Sequence, residues 1–277
     1  MLRLLKIELH KLRYNKSVRV ISIVYFALIT FLAFIVSIEF NIGDIKFRAA
    51  DQGIFNFPYI WHLNAYIAAW LKIFLAIVIV SMVSNEYTYK TLKQNLIDGF
   101  SKKEFILSKF YTILVFAVVS TIFLFITSLI LGLIFSDYKE IGIIFSGLEF
   151  IGAYFLKLVA FFSFCLFLGI LVKRSAFALG FLFIWQIFEF IAYGVIRKWS
   201  DSKELTESIT QFLPLHSMYD LIKEPFTRFN AVQSAATQLG ENVNITTGVN
   251  WINVVTSIVY IGLFVYWSYI LLKKRDL

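Results

Sequence analysis

The sequence of 277 residues has little of what soluble, secreted or disordered proteins require. It contains one cysteine, Cys165, so no disulfide can form within the chain. Three prolines and 13 glycines exclude a collagen-like chain. Charged residues make up 16% of the sequence, against roughly 25% in soluble domains. A hydrophobic content of 59% also excludes a disordered chain, because disorder requires low hydrophobicity.

The chain has an excess of apolar side chains. The hydrophobic fraction of 59% exceeds the 45–50% or so of soluble domains, phenylalanine alone contributes 31 residues, and the mean hydropathy is +0.77. A soluble domain of this size would have to expose large apolar patches. The composition therefore predicts an integral membrane protein.

Six stretches reach the roughly 20 apolar residues that a membrane-spanning helix requires. The first is too long for the apolar region of a cleaved signal peptide, which has about 7–15 residues, so we expect it to be retained. The predicted fold is an all-α membrane protein with six transmembrane helices in one domain, 1–277. The predicted spans are 18–38, 64–83, 107–135, 151–172, 176–196 and 251–272.

Basic residues alternate between the two sides of these spans. Of the 26 Lys and Arg residues, 16 lie on the side of the N-terminus and eight lie in the longer loops of the other side. Because basic loops stay in the cytoplasm, both termini are predicted to be cytoplasmic. The concentration of Lys and Arg in cytoplasmic segments accounts for the net charge of +8, so no nucleic acid partner is expected.

Residues 1–16 are predicted to form an amphipathic helix that lies on the membrane surface, with lipids as partners. Its apolar stripe has helical spacing and consists of Leu2, Leu5, Leu9 and Leu12. A second stripe at the same spacing is basic and consists of Arg3, Lys6, His10 and Arg13.

The loop between the second and third spans, 84–106, carries its own structural signals. Tyr89, Leu92 and Leu96 have helical spacing and are predicted to form an apolar ridge that a partner could bind. Ser101 and Glu104 form a capping box, so the next helix is predicted to begin near Lys102 and to run to about Phe135. Such a helix is about 51 Å long, exceeds the roughly 30 Å hydrocarbon core and predicts a stalk below the membrane.

The long loop before the last span, 197–250, contains a second short amphipathic helix. Its apolar positions fit helical spacing and are Leu215, Met218, Tyr219 and Ile222. We expect this helix to dip into the outer membrane interface.

Three charged side chains lie within the predicted spans: Lys72, Lys157 and Glu189. Intramembrane charges are functional candidates, and they also pair with one another for structural reasons. Lys157 and Glu189 lie at similar depths, so an ion pair between them is predicted, with Lys72 as the competing partner of Glu189. Glu189 is the only acid in any predicted span, and no span carries histidine, which argues against a membrane-embedded enzyme.

The segment 84–109, between the second and third predicted spans, resembles the cytoplasmic loop of ABC-2 type permease subunits. These subunits are the membrane halves of bacterial ABC exporters. The resemblance rests on Asn85-Glu86, Lys90-Thr91-Leu92, Asn95, Ile97-Asp98-Gly99, Ser101-Lys102-Lys103-Glu104 and Lys109. Lys90 stands where glycine is often found in that family. The overall layout of the chain is also similar to that of the family.

The resemblance implies a dimer of six-span subunits in a bacterial inner membrane, each docked to a separate cytosolic ATPase that binds ATP and Mg²⁺. It implies that Tyr87–Ile97 forms a coupling helix and that Leu213–Ile222 forms an outer gate. The implied ATPase-coupling residues are Glu86, Tyr89, Lys90, Thr91, Leu92 and Leu96. Glu86 is expected to pair with Lys90 or with a basic residue of the ATPase.

The chain itself has no nucleotide site, because no glycine is followed by lysine and a G-x-x-x-x-G-K-[ST] P-loop is therefore absent. Its three histidines, His10, His62 and His216, lie far apart in the sequence, so no metal site is assigned. We expect no catalytic residue and no cofactor on this chain. The alternative is a gradient-driven secondary transporter or channel that works without an ATPase.

Overall fold

The computed structural model describes residues 2–35, 39–42, 45–48, 54–200, 202–228 and 248–275. Helices dominate these residues. They are α1 (Leu2–Tyr14), α2 (Lys16–Ile35), α3 (Tyr59–Thr88), α4 (Thr91–Ile97), α5 (Lys102–Phe135), α6 (Ile141–Ile144), α7 (Glu149–Val172), α8 (Ser175–Trp199), α9 (Lys203–Thr210), α10 (Pro214–Tyr219) and α11 (Trp251–Lys273). A short 3₁₀ turn, Phe226–Arg228, follows α10.

Five segments of the described chain are long and apolar enough to cross a membrane: α3, α5, α6 with α7, α8 and α11. The count becomes six if α1 and α2 are taken together, and these two helices meet at an angle of 85°. The multi-pass helical fold is therefore confirmed. The predicted end of the first span, 36–38, lies outside the described residues, as does the part of the outer loop at 229–247.

One element outside the helical body is a hairpin that hydropathy does not reveal. Strands β1 (Glu39–Ile42) and β2 (Ile45–Arg48) pair antiparallel, with Glu39 opposite Arg48. The hairpin lies between the first two predicted spans.

Helix α7 forms the centre of the bundle, in contact with α3, α5, α8 and α11. It is apolar on all sides, which is typical of a fully buried helix, and most of its side chains are buried. Tyr154 of α7 hydrogen-bonds Tyr25 of α2 through their hydroxyl groups at 2.5 Å. Helix α8, by contrast, exposes a series of large apolar side chains such as Phe183, Phe190 and Trp199, as a helix on the outside of a membrane bundle does.

The 34-residue helix α5 begins and ends as its sequence predicts. The Ser101 side chain accepts a hydrogen bond from the Glu104 backbone at 3.2 Å, and the Glu104 carboxylate accepts one from the Ser101 backbone at 2.9 Å. This capping box satisfies backbone groups that would otherwise lack partners at the start of the helix. The predicted capping box and the predicted continuity to Phe135 are both confirmed.

Loops and chain ends collect at the two ends of the bundle. One end, called the basic end below, contains α1, α4, the start of α5 and the C-terminal residues to Arg275. Lys102 joins two of these parts, because its ammonium group donates to the backbone carbonyl of Arg275 at 2.8 Å. At the opposite end, α9 and α10 lie beside the ends of α7, α8 and α11.

Candidate functional site: a charged junction at the basic end

Four charged side chains from three helices meet at the basic end. Lys109 of α5 lies between Glu8 of α1 and Glu86 of α3, with N–O distances of 2.5 Å and 2.6 Å. Lys11 of α1 contacts the same Glu86 carboxylate at 3.1 Å and Glu8 at 3.6 Å. We call Glu8, Lys11, Glu86 and Lys109 the charged junction. Its two acids and two bases balance, so the group is formally neutral.

The junction is largely withdrawn from water. The Lys109 side chain is fully buried, and the side chains of Glu8 and Glu86 are only 6% and 4% exposed. Lys11 lies at the edge of the junction with its side chain 37% exposed. Burial lowers the pKa of Lys11, but the carboxylates of Glu8 and Glu86 outweigh this effect and raise it above its ordinary value. Lys11 therefore remains charged at neutral pH and completes the neutralisation of the two acids.

Helix α4 is attached to the junction through one carboxylate oxygen. The Thr91 hydroxyl, in the first turn of α4, donates to Glu86 Oε2 at 2.5 Å. Asn95, one turn on, points its amide at the same oxygen from 3.5 Å. Glu86 thus binds α4 through one oxygen and the two lysines through the other. The predicted pairing of Glu86 with Lys90 is wrong, because Lys109 and Lys11 are its ionic partners.

The connection between α3 and α4 requires a left-handed backbone at Lys90, whose φ is 56°. This conformation is rare for residues with a Cβ, and glycine adopts it freely. It supplies a physical reason why glycine is often found at this position in the family that the loop resembles. The turn after α4 is made by Gly99, whose φ of 93° is open to glycine.

Helix α4 turns its apolar side towards its own chain. Leu92 is 2% exposed, and Leu96 is partly buried against the core. The predicted ridge of Tyr89, Leu92 and Leu96 is therefore corrected, because Leu92 packs inside the chain and Tyr89 alone of the three is well exposed, at 72%. The opposite face of α4 carries Lys93 and, in its last position, Ile97, which is 69% exposed.

Arg275, which follows α11, makes a second set of hydrogen bonds at the basic end. The guanidinium group of Arg275 donates to the backbone carbonyls of Ile170 and Leu171, at 2.5 Å and 3.0 Å. These are carbonyls of the last turn of α7, which lack helical partners. Arg275 also approaches the Tyr87 hydroxyl at 3.4 Å, and Lys173 lies 5.9 Å from the Tyr87 ring centre. All four segments that are predicted to be cytoplasmic therefore meet at one end of the bundle.

The intramembrane charges Lys157 and Glu189 are not paired with each other. Lys157 donates to the backbone carbonyl of Tyr219 at 3.1 Å. Glu189 accepts hydrogen bonds from Trp185 Nε1 at 2.6 Å and from two backbone N–H groups at the start of α10. The predicted ion pair is replaced by bonds from both charges to α10, because the ends of a helix offer backbone N–H and carbonyl groups as partners for such charges.

The third intramembrane charge has a different environment. Lys72 lies 4.5 Å from the centre of the Phe161 ring, a distance typical of a cation–π contact. No acidic side chain of the described ranges forms an ion pair with it, so the predicted competition for Glu189 does not occur.

The residues predicted for the outer gate lie together at the opposite end. Leu215 and Met218 are buried in α10, and Ile222 is buried just after it. Tyr219, the last residue of α10, is 41% exposed, and its ring lies near the Lys157 ammonium, 5.4 Å from its centre. The predicted short helix is confirmed as a structural element, and its role as a gate stays a prediction.

Sequence reasoning assigned three members of the junction, Glu8, Lys11 and Lys109, to no functional site, although Lys109 is among the residues that carry the family resemblance. Glu8 shares its helical face with Leu5 and Leu12, at i, i+3 and i+7, so an acid interrupts an apolar stripe. Lys109 lies between the second and third turns of α5, where Phe105, Ile106 and Phe110 surround it in the sequence. A lone charge within each of two apolar faces is the signal that could have identified them as partners.

The fold and the junction define a multi-pass helical membrane protein. The family model for the ABC-2 family transporter protein matches residues 2–277. The chain therefore belongs to the ABC-2 transporter family, whose members are the membrane components of transporters. No curated protein matches the chain.

Proposed function

We propose that this chain is the permease subunit of an ATP-driven ABC exporter and forms its translocation path. A separate cytosolic ATPase binds ATP and Mg²⁺ and is coupled to the basic end. The permease works as a dimer with a second permease subunit, in the bacterial inner membrane with both termini in the cytoplasm. The family match and the charged junction support this proposal.

The observation that carries the proposal is the attachment of α4 to several helices through Glu86. Helix α4 presents an outer face to solvent, while its inner face is bonded through Thr91 to the end of α3. Glu86 is in turn bonded to Lys109 of α5 and to Lys11 of α1. A displacement of α4 is therefore transmitted to α1, α3 and α5 at once. Helices α3 and α5, of 30 and 34 residues, extend from this end through the bundle.

The partner-binding surface is the exposed side of this loop, which we call the coupling surface: Tyr89, Lys90, Lys93 and Ile97. Tyr89 and Ile97 are large apolar side chains exposed at the two ends of α4. Two lysines lie between them, which suits a partner groove with an acidic rim. Buried aromatic and aliphatic anchors dominate the energetics of such contacts.

The test is purification of the tagged chain from its own membranes, followed by measurement of Mg²⁺-dependent ATP hydrolysis in the eluate. We expect Ile97→Asp to remove the copurifying ATPase while the permease still elutes on size exclusion as a single sharp peak, shifted to the smaller size of the ATPase-free permease. Leu92→Asp is expected to destabilise the permease itself, because this side chain is buried. Glu86→Ala removes one of the two counter-ions of Lys109 and is expected to disturb folding together with coupling.

The matched control is Tyr138→Asp at the opposite end, where the tyrosine is 51% exposed between α5 and α6. This variant is expected to keep its ATPase, whereas Tyr89→Asp loses it. If Tyr89→Asp and Ile97→Asp both retain the ATPase at the wild-type level, the coupling surface is misplaced. If the purified chain transports cargo without any ATPase, the gradient-driven alternative replaces the proposal.

A further inference from the structure

Helix α10 is held at both ends by buried charges from two different spans. The Glu189 carboxylate of α8 accepts hydrogen bonds from the backbone N–H groups of Leu215 and His216, at 3.0 Å and 2.8 Å. The Lys157 ammonium of α7 donates to the backbone carbonyl of Tyr219, at 3.1 Å. Glu189 therefore satisfies two N–H groups that the first turn of a helix leaves without partners, and Lys157 adds a second donor to a carbonyl that also accepts from the Ile222 N–H at 3.4 Å.

Both charges lie in apolar surroundings. Lys157 is 2% exposed and Glu189 is 3% exposed. Trp185 supplies one hydrogen bond to Glu189 from the same helix, and the other bonds to the two charges come from α10. If α10 left its place, both charges would lose hydrogen bonds inside the membrane, where no water replaces them. Burial of the two charges thus favours the position that α10 occupies.

The two charges stand on neighbouring helices that contact each other, α7 and α8. Helix α10 has six residues and bridges these helices as one short rigid unit. A change in the separation of α7 and α8 at this end must break the bond to Lys157 or the bonds to Glu189. The position of α10 is therefore tied to the spacing of these two helices.

We infer that Glu189 and Lys157 form a two-ended clamp that holds α10 across the opposite end of the bundle and is released when α7 and α8 separate. Both are positioning residues for α10, and the clamp acts as the closure of the exit, a role that rests on the proposed function. Lys72 serves as the matched control, because it is also an intramembrane lysine but contacts Phe161 of α7 rather than α10.

The test measures the accessibility of α10 with a charged maleimide on the detergent-solubilised protein, where the reagent reaches both ends. The reporter is Ser217→Cys in a Cys165→Ala background, since Ser217 lies in α10 and is fully buried. We expect slow labelling in this background and at least tenfold faster labelling after Lys157→Met or Glu189→Gln. Lys72→Met is expected to leave the rate unchanged, and Lys157→Arg is expected to restore slow labelling, because its guanidinium group can still donate to the Tyr219 carbonyl.

A second reporter separates release of α10 from general loosening. Ser163→Cys, fully buried in α7, is expected to stay unreactive in every variant. Equal labelling rates at position 217 in Lys157→Met and Lys72→Met would overturn the inference. Rates that rise together at positions 163 and 217 would also overturn it, because the charges would then support the whole bundle rather than α10.

The labelling requires no ATPase, so its outcome is independent of the proposed function. If Lys157→Met and Glu189→Gln accelerate labelling at position 217, and the wild-type chain transports without an ATPase, the clamp is supported and the ATP-driven permease is refuted. Unchanged labelling in a chain with proven ATP-driven transport would refute the clamp alone.

Discussion

Replacement of Lys109 by methionine is the most direct test of the charged junction. Lys109 is fully buried and lies 2.5 Å from Glu8 and 2.6 Å from Glu86. Methionine has a similar length and no charge, so the two carboxylates would share only Lys11, which is partly exposed and lies 3.6 Å from Glu8. Loss of one partner from a buried ionic group destabilises a protein by about 3–5 kcal/mol.

This energy corresponds to a decrease in the apparent melting temperature of roughly 6–20 °C for a chain of this size. The assay is thermal unfolding of the detergent-solubilised permease, followed by size exclusion after heating. Addition of Glu8→Gln to Lys109→Met restores the charge balance, because one acid and one base remain, and we expect recovery of about half of the loss. The matched control is Lys103→Met, since Lys103 is an exposed lysine in the first turn of the same helix.

A decrease of less than about 2 °C for Lys109→Met would refute the reasoning, because an exposed ion pair would give a change of that size. A double variant that is less stable than the single variant would show that Glu8 is not the residue that balances Lys109.

Four further changes test other parts of the structure. Lys90→Gly relieves a left-handed backbone at φ 56° and is expected to stabilise the permease by about 0.5–1 kcal/mol in thermal unfolding, whereas Lys93→Gly inside α4 destabilises it. Gly132→Ala puts a Cβ 2.2 Å from Phe57 Cζ and is expected to destabilise by about 1–3 kcal/mol, while Gly180→Ala, which has open space around it, leaves the melting temperature within 1 °C or so. Tyr154→Phe removes the buried hydrogen bond to Tyr25 and is expected to destabilise by about 1–2 kcal/mol, with Tyr138→Phe as an exposed control of near-zero effect. Thr91→Val keeps the shape of the side chain but removes the hydrogen bond to Glu86, so it is expected to retain the bound ATPase and to lower the transport obtained per ATP hydrolysed. A Thr91→Val complex with wild-type transport per ATP would contradict transmission through Glu86.

The parts of the fold that depend on local sequence could be predicted closely. The long apolar runs locate the spans because the hydrocarbon core fixes the length of a crossing helix. The capping box at Ser101 and Glu104 gives the first residue of α5, because both of its hydrogen bonds are made within four residues. The short helices at 91–97 and 214–219 follow from helical spacing alone.

The partners of the charged side chains could not be predicted in the same way. Glu86 has Lys90 one turn on in the sequence, but its ionic partners are Lys109 and Lys11, 23 and 75 positions away. Glu189 and Lys157 are satisfied by backbone groups of α10, and backbone donors leave no signature in the sequence. Such pairings depend on how helices are arranged in space, which hydropathy does not specify.

The direction in which α4 faces was mispredicted for a related reason. An apolar stripe on a short exposed helix can face a partner protein or the core of its own chain. The sequence of the loop alone does not distinguish these possibilities. In the structure the packing of Leu92 decides it, because this side chain fills a space within the chain and leaves Tyr89 and Ile97 at the surface.

The measurement that tests the central claim most directly is native mass spectrometry of the tagged chain, released from its own membranes in mild detergent. The account predicts a complex of two permease subunits with two ATPase subunits, whose peaks shift by the mass of Mg²⁺ and ATP when both are added. It also predicts that Ile97→Asp shows permease subunits without ATPase. The account would be contradicted by a wild-type chain that appears only without an ATPase and that still transports cargo into vesicles when an ion gradient alone supplies the energy.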